Sequence, residues 1–147
     1  MLTTSPSPAT LAGRLQLVLA RTARRLRQEA GADLSPSLSS ALASIDRHGP
    51  VTPSEVAAHE RVQRPTATRV IGRLEELGLV DRAPDPSDRR SSLLSASPEG
   101  RALLRRLRTR KSQYLARRLA GLEAGELETL DRAAAILERM LDEEGRR

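Results

Sequence analysis

Three times this chain sets a hydroxyl residue directly before a proline and follows the pair with an apolar repeat: Ser35-Pro36, Thr52-Pro53 and Ser97-Pro98. A Ser or Thr at such a point caps a helix by accepting a backbone N–H. Proline then suits the first helical position, because its φ is preset and the N–H it lacks would go unpaired there anyway. At the second step, Thr52-Pro53-Ser54-Glu55 adds the acidic residue of a capping box. These signals divide the sequence into helices with defined starts, and the expected class is mostly helical.

Composition agrees. Tyr114 is the only aromatic residue among 147. A core must therefore come from Leu, Ala, Val and Ile, and Leu- and Ala-rich sequences favour helix. The length suits one domain with a real core.

Residues 1–9 are Ser-, Thr- and Pro-rich and read as disordered. Thr10 reads as the cap of a first helix whose apolar face is Leu11, Leu15, Val18, Leu19 and Leu26, ending at Gly31. Ser35-Pro36 opens a second helix with Leu38, Ala41, Leu42 and Ile45 inward, stopped by His48-Gly49-Pro50. Val51-Thr52 is a candidate for a very short strand. The third helix runs from Thr52 to near Glu60, and the turn Arg61-Val62-Gln63 leads to a fourth, Arg64 to Leu77. Its apolar stripe is Ala67, Val70, Ile71, Leu74 and Leu77, and Gly78 is its natural stop. Leu79–Arg82 and Ser92–Ser95 are short candidate strands joined by a long, turn-rich loop from Ala83 to Arg90. A long helix follows from Ser97 to about Leu119. After a break bracketed by Gly121 and Gly125, a last helix carries Leu127, Leu130, Ala134, Leu137 and Leu141 on one face.

Net charge is +6, which favours polyanionic partners. Placement sharpens this. The fourth helix glues its apolar stripe to the domain and leaves Arg64, Pro65, Thr66, Thr68, Arg69 and Arg73 for another surface. A helix fits the major groove of duplex DNA with its N-terminal residues at the base edges. Arg64 and Arg69 can grip guanine or phosphate, Thr66 and Thr68 can bond bases or phosphates, and Gly72 adds no bulk. Arg89 and Arg90, at the end of the loop, suit the negative potential of the minor groove. Asp88 would repel phosphate, so its expected role is to pair with an arginine and hold the loop in shape.

Other classes find less support. Without cysteine there is no disulfide, thiol sensor or Cys-containing zinc site. The two histidines lack metal-ligand spacing, no phosphate-binding Gly-rich loop occurs, and no Ser or His lies in a nucleophile motif. Neither catalysis nor a cofactor or metal is expected. No apolar run approaches the roughly 18 residues of a membrane span, and the N-terminus lacks a signal-peptide pattern. A soluble cytoplasmic protein is expected.

The ordered combination of Val51–Ala57, Arg64–Ile71, Leu74–Val80, Asp85–Arg90 and Ser97–Gly100 resembles the multiple antibiotic resistance regulator (MarR) family of bacterial winged helix-turn-helix repressors. The resemblance spans about Leu11 to Leu141. It implies a winged helix-turn-helix over about 34–97, within a single domain of residues 10–147. The segments at about 10–30 and 98–143 would be dimerisation helices, with Leu11, Leu15, Leu127, Leu130, Leu137 and Leu141 at the dimer interface. It implies that Arg90 enters the minor groove while Asp88 orients the wing. It also implies a homodimer on a pseudo-palindromic double-stranded operator, released by a small-molecule effector whose binding residues the sequence does not identify. The alternative is a winged-helix protein–protein adaptor that uses the same arginines as surface charge.

Overall fold

The computed structural model describes residues 5–31 and 33–145. In chain order these form α1 (Pro8–Ala30), α2 (Pro36–His48), α3 (Pro53–Glu60), α4 (Arg64–Glu76), β1 (Val80–Asp85), β2 (Asp88–Ala96), α5 (Pro98–Leu119) and α6 (Ala124–Glu144). The class is the expected one, six helices and a small two-stranded wing. Two compact units divide the chain, one ending at Lys111 and the other beginning at Ser112.

The hydroxyl–proline steps set the helix starts. Ser35 Oγ accepts from the Leu38 N–H at 3.3 Å and Thr52 Oγ1 from the Glu55 N–H at 3.2 Å. A fourth such step lies in the tail. Ser7, followed by Pro8, accepts from the Thr10 N–H at 3.2 Å, so α1 starts at Pro8 and Thr10 is already helical. The expectation of disorder fails for Pro8 and Ala9, whose helix Ser7 caps; residues 1–4 lie outside the described residues. At the other end of α1, the Arg110 guanidinium donates to the Ala30 carbonyl at 2.8 Å and to Asp33 at 2.9 Å.

Two helix ends close in the same way. At α4, Gly78 takes φ 73°, its N–H donates to the Glu75 carbonyl, and the Leu79 N–H donates to the Leu74 carbonyl. This pair of bonds satisfies carbonyls that the helix end would otherwise orphan. Leu77 sits on the turn and is exposed, so the inward stripe stops at Leu74. At α3 the left-handed residue is Arg61, with φ 52° and ψ 45°. The Val62 N–H reaches the Ala57 carbonyl, and this tight three-residue turn delivers the chain into α4.

The wing is longer and tighter than the sequence suggested. β1 and β2 pair antiparallel from Val80↔Ala96 to Pro84↔Ser92, then jump to Asp85↔Asp88. Only Pro86 and Ser87 form the turn, while Arg89, Arg90 and Ser91 bulge out of register. The prolines read as loop residues, yet Pro84 lies within a strand that has no further strand on its outer side among the described residues. On the inner side, Val51 and Leu94 exchange both backbone hydrogen bonds, at 3.0 and 2.7 Å.

The core gathers Leu42 and Ile45 from α2, Val56 from α3, Ile71 and Leu74 from α4, Leu94 from β2, and Leu103, Leu104 and Leu107 from α5. Ser97 joins wing to α5 inside it. Its backbone N–H donates to the Leu79 carbonyl, its hydroxyl donates to the Gly78 carbonyl at 2.6 Å, and the same oxygen accepts from the Gly100 N–H at 3.0 Å. Ser97→Ala takes a partner from the buried Gly100 N–H and removes the part-buried bond to the Gly78 carbonyl. The expected cost is about 1–3 kcal/mol, read as a lower denaturant midpoint at unchanged slope. A midpoint equal to wild type would show that the bonds contribute nothing net.

By contrast, α6 buries no residue, and α1 buries only Ala30. Leu11, Leu17, Val18 and Leu19 on α1, and Leu127, Leu130, Ile136, Met140 and Leu141 on α6, are exposed. Leu15 and Leu137 are half-buried.

Candidate nucleic-acid interface

The order α2, α3, α4, β1, β2 is a helix-turn-helix followed by a hairpin wing. Burial of Ala67, Ile71 and Leu74 fixes which way α4 turns. Pro65, Thr68, Arg69 and Arg73 are left exposed on the rest of its surface, and Arg64 is exposed at its start. Gln63 makes no side-chain cap, so the first N–H groups of α4 stay available to an outside acceptor such as phosphate.

The expected contact residues divide by what they already touch. Among the described residues, Arg64, Arg69, Arg89 and Arg90 have no acidic partner within ion-pair distance. Arg73 pairs with Glu76 at 3.1 Å, one turn on and at the surface, a weak tie that phosphate could replace. Thr68 donates its hydroxyl to the Arg64 carbonyl at 2.9 Å, so that hydroxyl faces a ligand only as an acceptor. Thr66 is half-buried and lines a cavity against α2 and α3. Of the expected set it is the least open.

Asp88 does not pair with an arginine side chain among the described residues. Its Oδ1 accepts instead from the Arg90 backbone N–H at 2.9 Å, a local turn that shapes the bulge carrying Arg89 and Arg90. Asp85 does the same at the tip. The Ser87 N–H at 2.9 Å and the Ser87 hydroxyl at 2.7 Å bond its carboxylate, and they hold its pKa below the usual carboxylate range.

One brace was not foreseen from the sequence. Arg82 of β1 binds Glu75 near the end of α4 through two nitrogens, at 2.6 and 3.2 Å, and donates a third bond to the Ser92 hydroxyl on β2. The Glu75 carboxylate raises the guanidinium pKa further above its already high ordinary value. The fork geometry suits two parallel bonds to one carboxylate. It links the major-groove candidate helix to both strands of the wing. Glu75 and Arg82 lie seven residues apart with a helix end and a turn between them, so the periodicity of neither element brings them together.

No group of three or more potential metal ligands occurs among the described residues, and no described helix is long and apolar enough to cross a membrane. A cleft of about 680 Å³ between α1, α2 and α5 presents Arg24, Arg27 and Lys111, and no aromatic side chain lines it.

Comparison with known proteins follows the same geometry. The model of the MarR family matches residues 34–92, which span α2 to the middle of β2. An HTH-type transcriptional regulator of Mycobacterium bovis is 40% identical over 138 residues, covering 93% of this chain and 96% of that protein. The multiple antibiotic resistance protein MarR of Salmonella typhimurium is 32% identical, covering 67% and 69% of the two chains. A crystal structure of a Pseudomonas aeruginosa transcriptional regulator superposes with a TM-score of 0.81 at 34% identity, covering 94% of this chain and 99% of that one. Sequence likeness over nearly the whole length, the match across helix-turn-helix and wing, and the shared architecture together make this chain a member of the MarR family of transcriptional regulators.

Proposed function

We propose that the protein is a homodimeric, sequence-specific repressor that binds a pseudo-palindromic site in double-stranded DNA in the cytoplasm. The observation that carries this reading is the set of arginines with no acidic partner among the described residues on two neighbouring elements, Arg64 and Arg69 on α4 and Arg89 and Arg90 in the wing bulge. Guanidinium groups left without acidic partners on a helix-turn-helix are ready for base edges and phosphates. The family name and a relative named as a transcriptional repressor in Pseudomonas putida support the sign of regulation. The exposed leucines of α1 and α6, among them Leu11, Leu127, Leu130 and Leu141, support a second copy as their cover. Two copies would present recognition helices about 34–36 Å apart, one turn of DNA. A small molecule that releases the DNA completes the reading, and the cationic cleft lined by Arg24, Arg27 and Lys111 is one place for it.

The test is a mobility shift with the promoter of the protein's own or a neighbouring gene at stated salt, beside sedimentation of the free protein. Specific binding by a dimer supports the reading. Equal affinity for operator and random DNA at moderate salt would sink it.

The Arg82–Glu75 brace gives a sharper check. Glu75→Gln removes a negative charge close to the candidate DNA surface. If only net charge mattered, binding would tighten. If the brace sets the angle between wing and α4, operator affinity should fall roughly 5–20-fold, on the scale of about 1–2 kcal/mol for one charged hydrogen-bond pair. The slope of affinity against salt should stay the same, because no phosphate contact is lost. Tighter binding would refute the positioning role.

A further inference from the structure

Under the first turn of α4, where that helix meets α2 and α3, lies a cavity of about 320 Å³. That volume is at the lower end of small-molecule sites. Ala41, Val56 and Val70 make its walls largely apolar, and among the described residues Glu60 is the one ionisable group lining it. The Ser40 hydroxyl donates to Glu60 Oε2 at 3.0 Å. The other oxygen, Oε1, is shielded from solvent and has no hydrogen-bond partner among the described residues. Buried acceptors are almost always paired, and an unpaired carboxylate oxygen is among the more costly groups to leave so.

The lining decides the kind of occupant. An anion would meet the Glu60 carboxylate with no cation in the wall to offset it. A purely apolar molecule would fill the space and leave the Glu60 charge without a counterion. A molecule with an apolar body and a protonated amine does both jobs: the body packs on the alanine and valines, and the ammonium donates to Glu60. Thr66, which lines the same cavity, directly follows Arg64-Pro65 on the candidate DNA surface. Filling the space therefore acts on the start of α4.

We propose that this cavity is a binding site for a small organic cation of this type, held by Glu60, and that its occupation changes the grip of α4 on DNA. The second half rests on the DNA-binding reading above. The binding half is tested on the free full-length protein by NMR titration with 2-phenylethylammonium and, for contrast, the similarly sized anion 3-phenylpropionate. The ammonium should shift Ala41, Val56 and Val70 resonances saturably, and the anion should not. Glu60→Gln, which keeps an acceptor for Ser40, should weaken ammonium binding at least tenfold without altering the fold. Equal response to both probes, no saturable response, or unchanged affinity in Glu60→Gln would overturn the site. The anion arm needs no variant, so the charge requirement is tested whatever the variant's stability. The regulatory half is tested by operator mobility shifts with and without the ammonium. The operator dissociation constant should move at least threefold in wild type and stay fixed in Glu60→Gln. Saturable binding with no such movement overturns the coupling. Absence of any operator binding instead overturns the DNA reading and leaves the NMR result standing.

Discussion

Replacing Arg69 and Arg90 together with alanine should lower operator affinity by at least about 10³-fold, because the proposed dimer loses four guanidinium groups at about 1–3 kcal/mol for each that grips a base or phosphate. Both side chains are exposed and have no acidic partner among the described residues. Their loss therefore removes nothing that holds the fold, and the melting temperature and mass in solution should match wild type. The two positions also separate by groove. Arg69 on α4 would read the major groove and Arg90 in the bulge would probe the minor groove. Arg69→Ala should then relax sequence preference at defined base pairs, and Arg90→Ala should weaken binding most where the minor groove is narrow. A protein–protein adaptor built on this fold would show neither effect. Operator affinity within about twofold of wild type for the double variant would favour the adaptor.

The second large effect concerns stability. Gly100 lies in the first turn of α5, and a Cβ there would stand 2.2 Å from the Leu79 carbonyl oxygen and 3.3 Å from Leu42 Cδ1. The first obstacle is backbone, and that backbone already accepts the Ser97 N–H. Gly100→Ala must push α5 away from the base of the wing. A cost of about 1–3 kcal/mol is expected for such overpacking, or roughly 2–12 °C in melting temperature. Gly72→Ala is the natural control. It lies inside α4 with nothing within 4 Å of the added Cβ, and relief of helical glycine there should stabilise by about 0.5–1 kcal/mol. The same chemical change in two helices should thus have opposite signs. A Gly100→Ala protein that melts with wild type would show that the start of α5 shifts freely.

These contrasts show what could be read from the chain alone. Helix starts were legible at Ser35, Thr52 and Ser97, because a cap acts within three residues. The start of α1 was misplaced because Ser7-Pro8 carries the same signal inside a Ser- and Pro-rich tail. The inward faces of α2 and α4 followed from periodicity, up to Leu77, where the chain leaves the helix. Only the outer part of the wing, Ala83 to Asp85 and Asp88 to Arg90, was hidden in the expected loop, because Pro84 and Pro86 speak against strands locally, while antiparallel pairing is decided by partners up to sixteen residues apart, as in Val80↔Ala96. The candidate contact arginines were visible as residue types in place. The lack of acidic partners for Arg64, Arg69, Arg89 and Arg90 among the described residues, the Glu75–Arg82–Ser92 brace and the approach of Gly100 to Leu79 all depend on tertiary distance, which no local pattern encodes.

The outer side of β1 has a further consequence. A wing that enters a groove of DNA must stand in solvent with one strand unpaired, and a bare strand edge invites another chain to pair with it and aggregate. Along β1 the residues after Val80 are Asp81, Arg82, Ala83, Pro84 and Asp85. Charges of both signs and a proline that cannot donate a ladder bond spoil that edge as a template. The composition that disguised the outer half of β1 as a loop is thus also what lets an exposed hairpin stay single on the protein's surface.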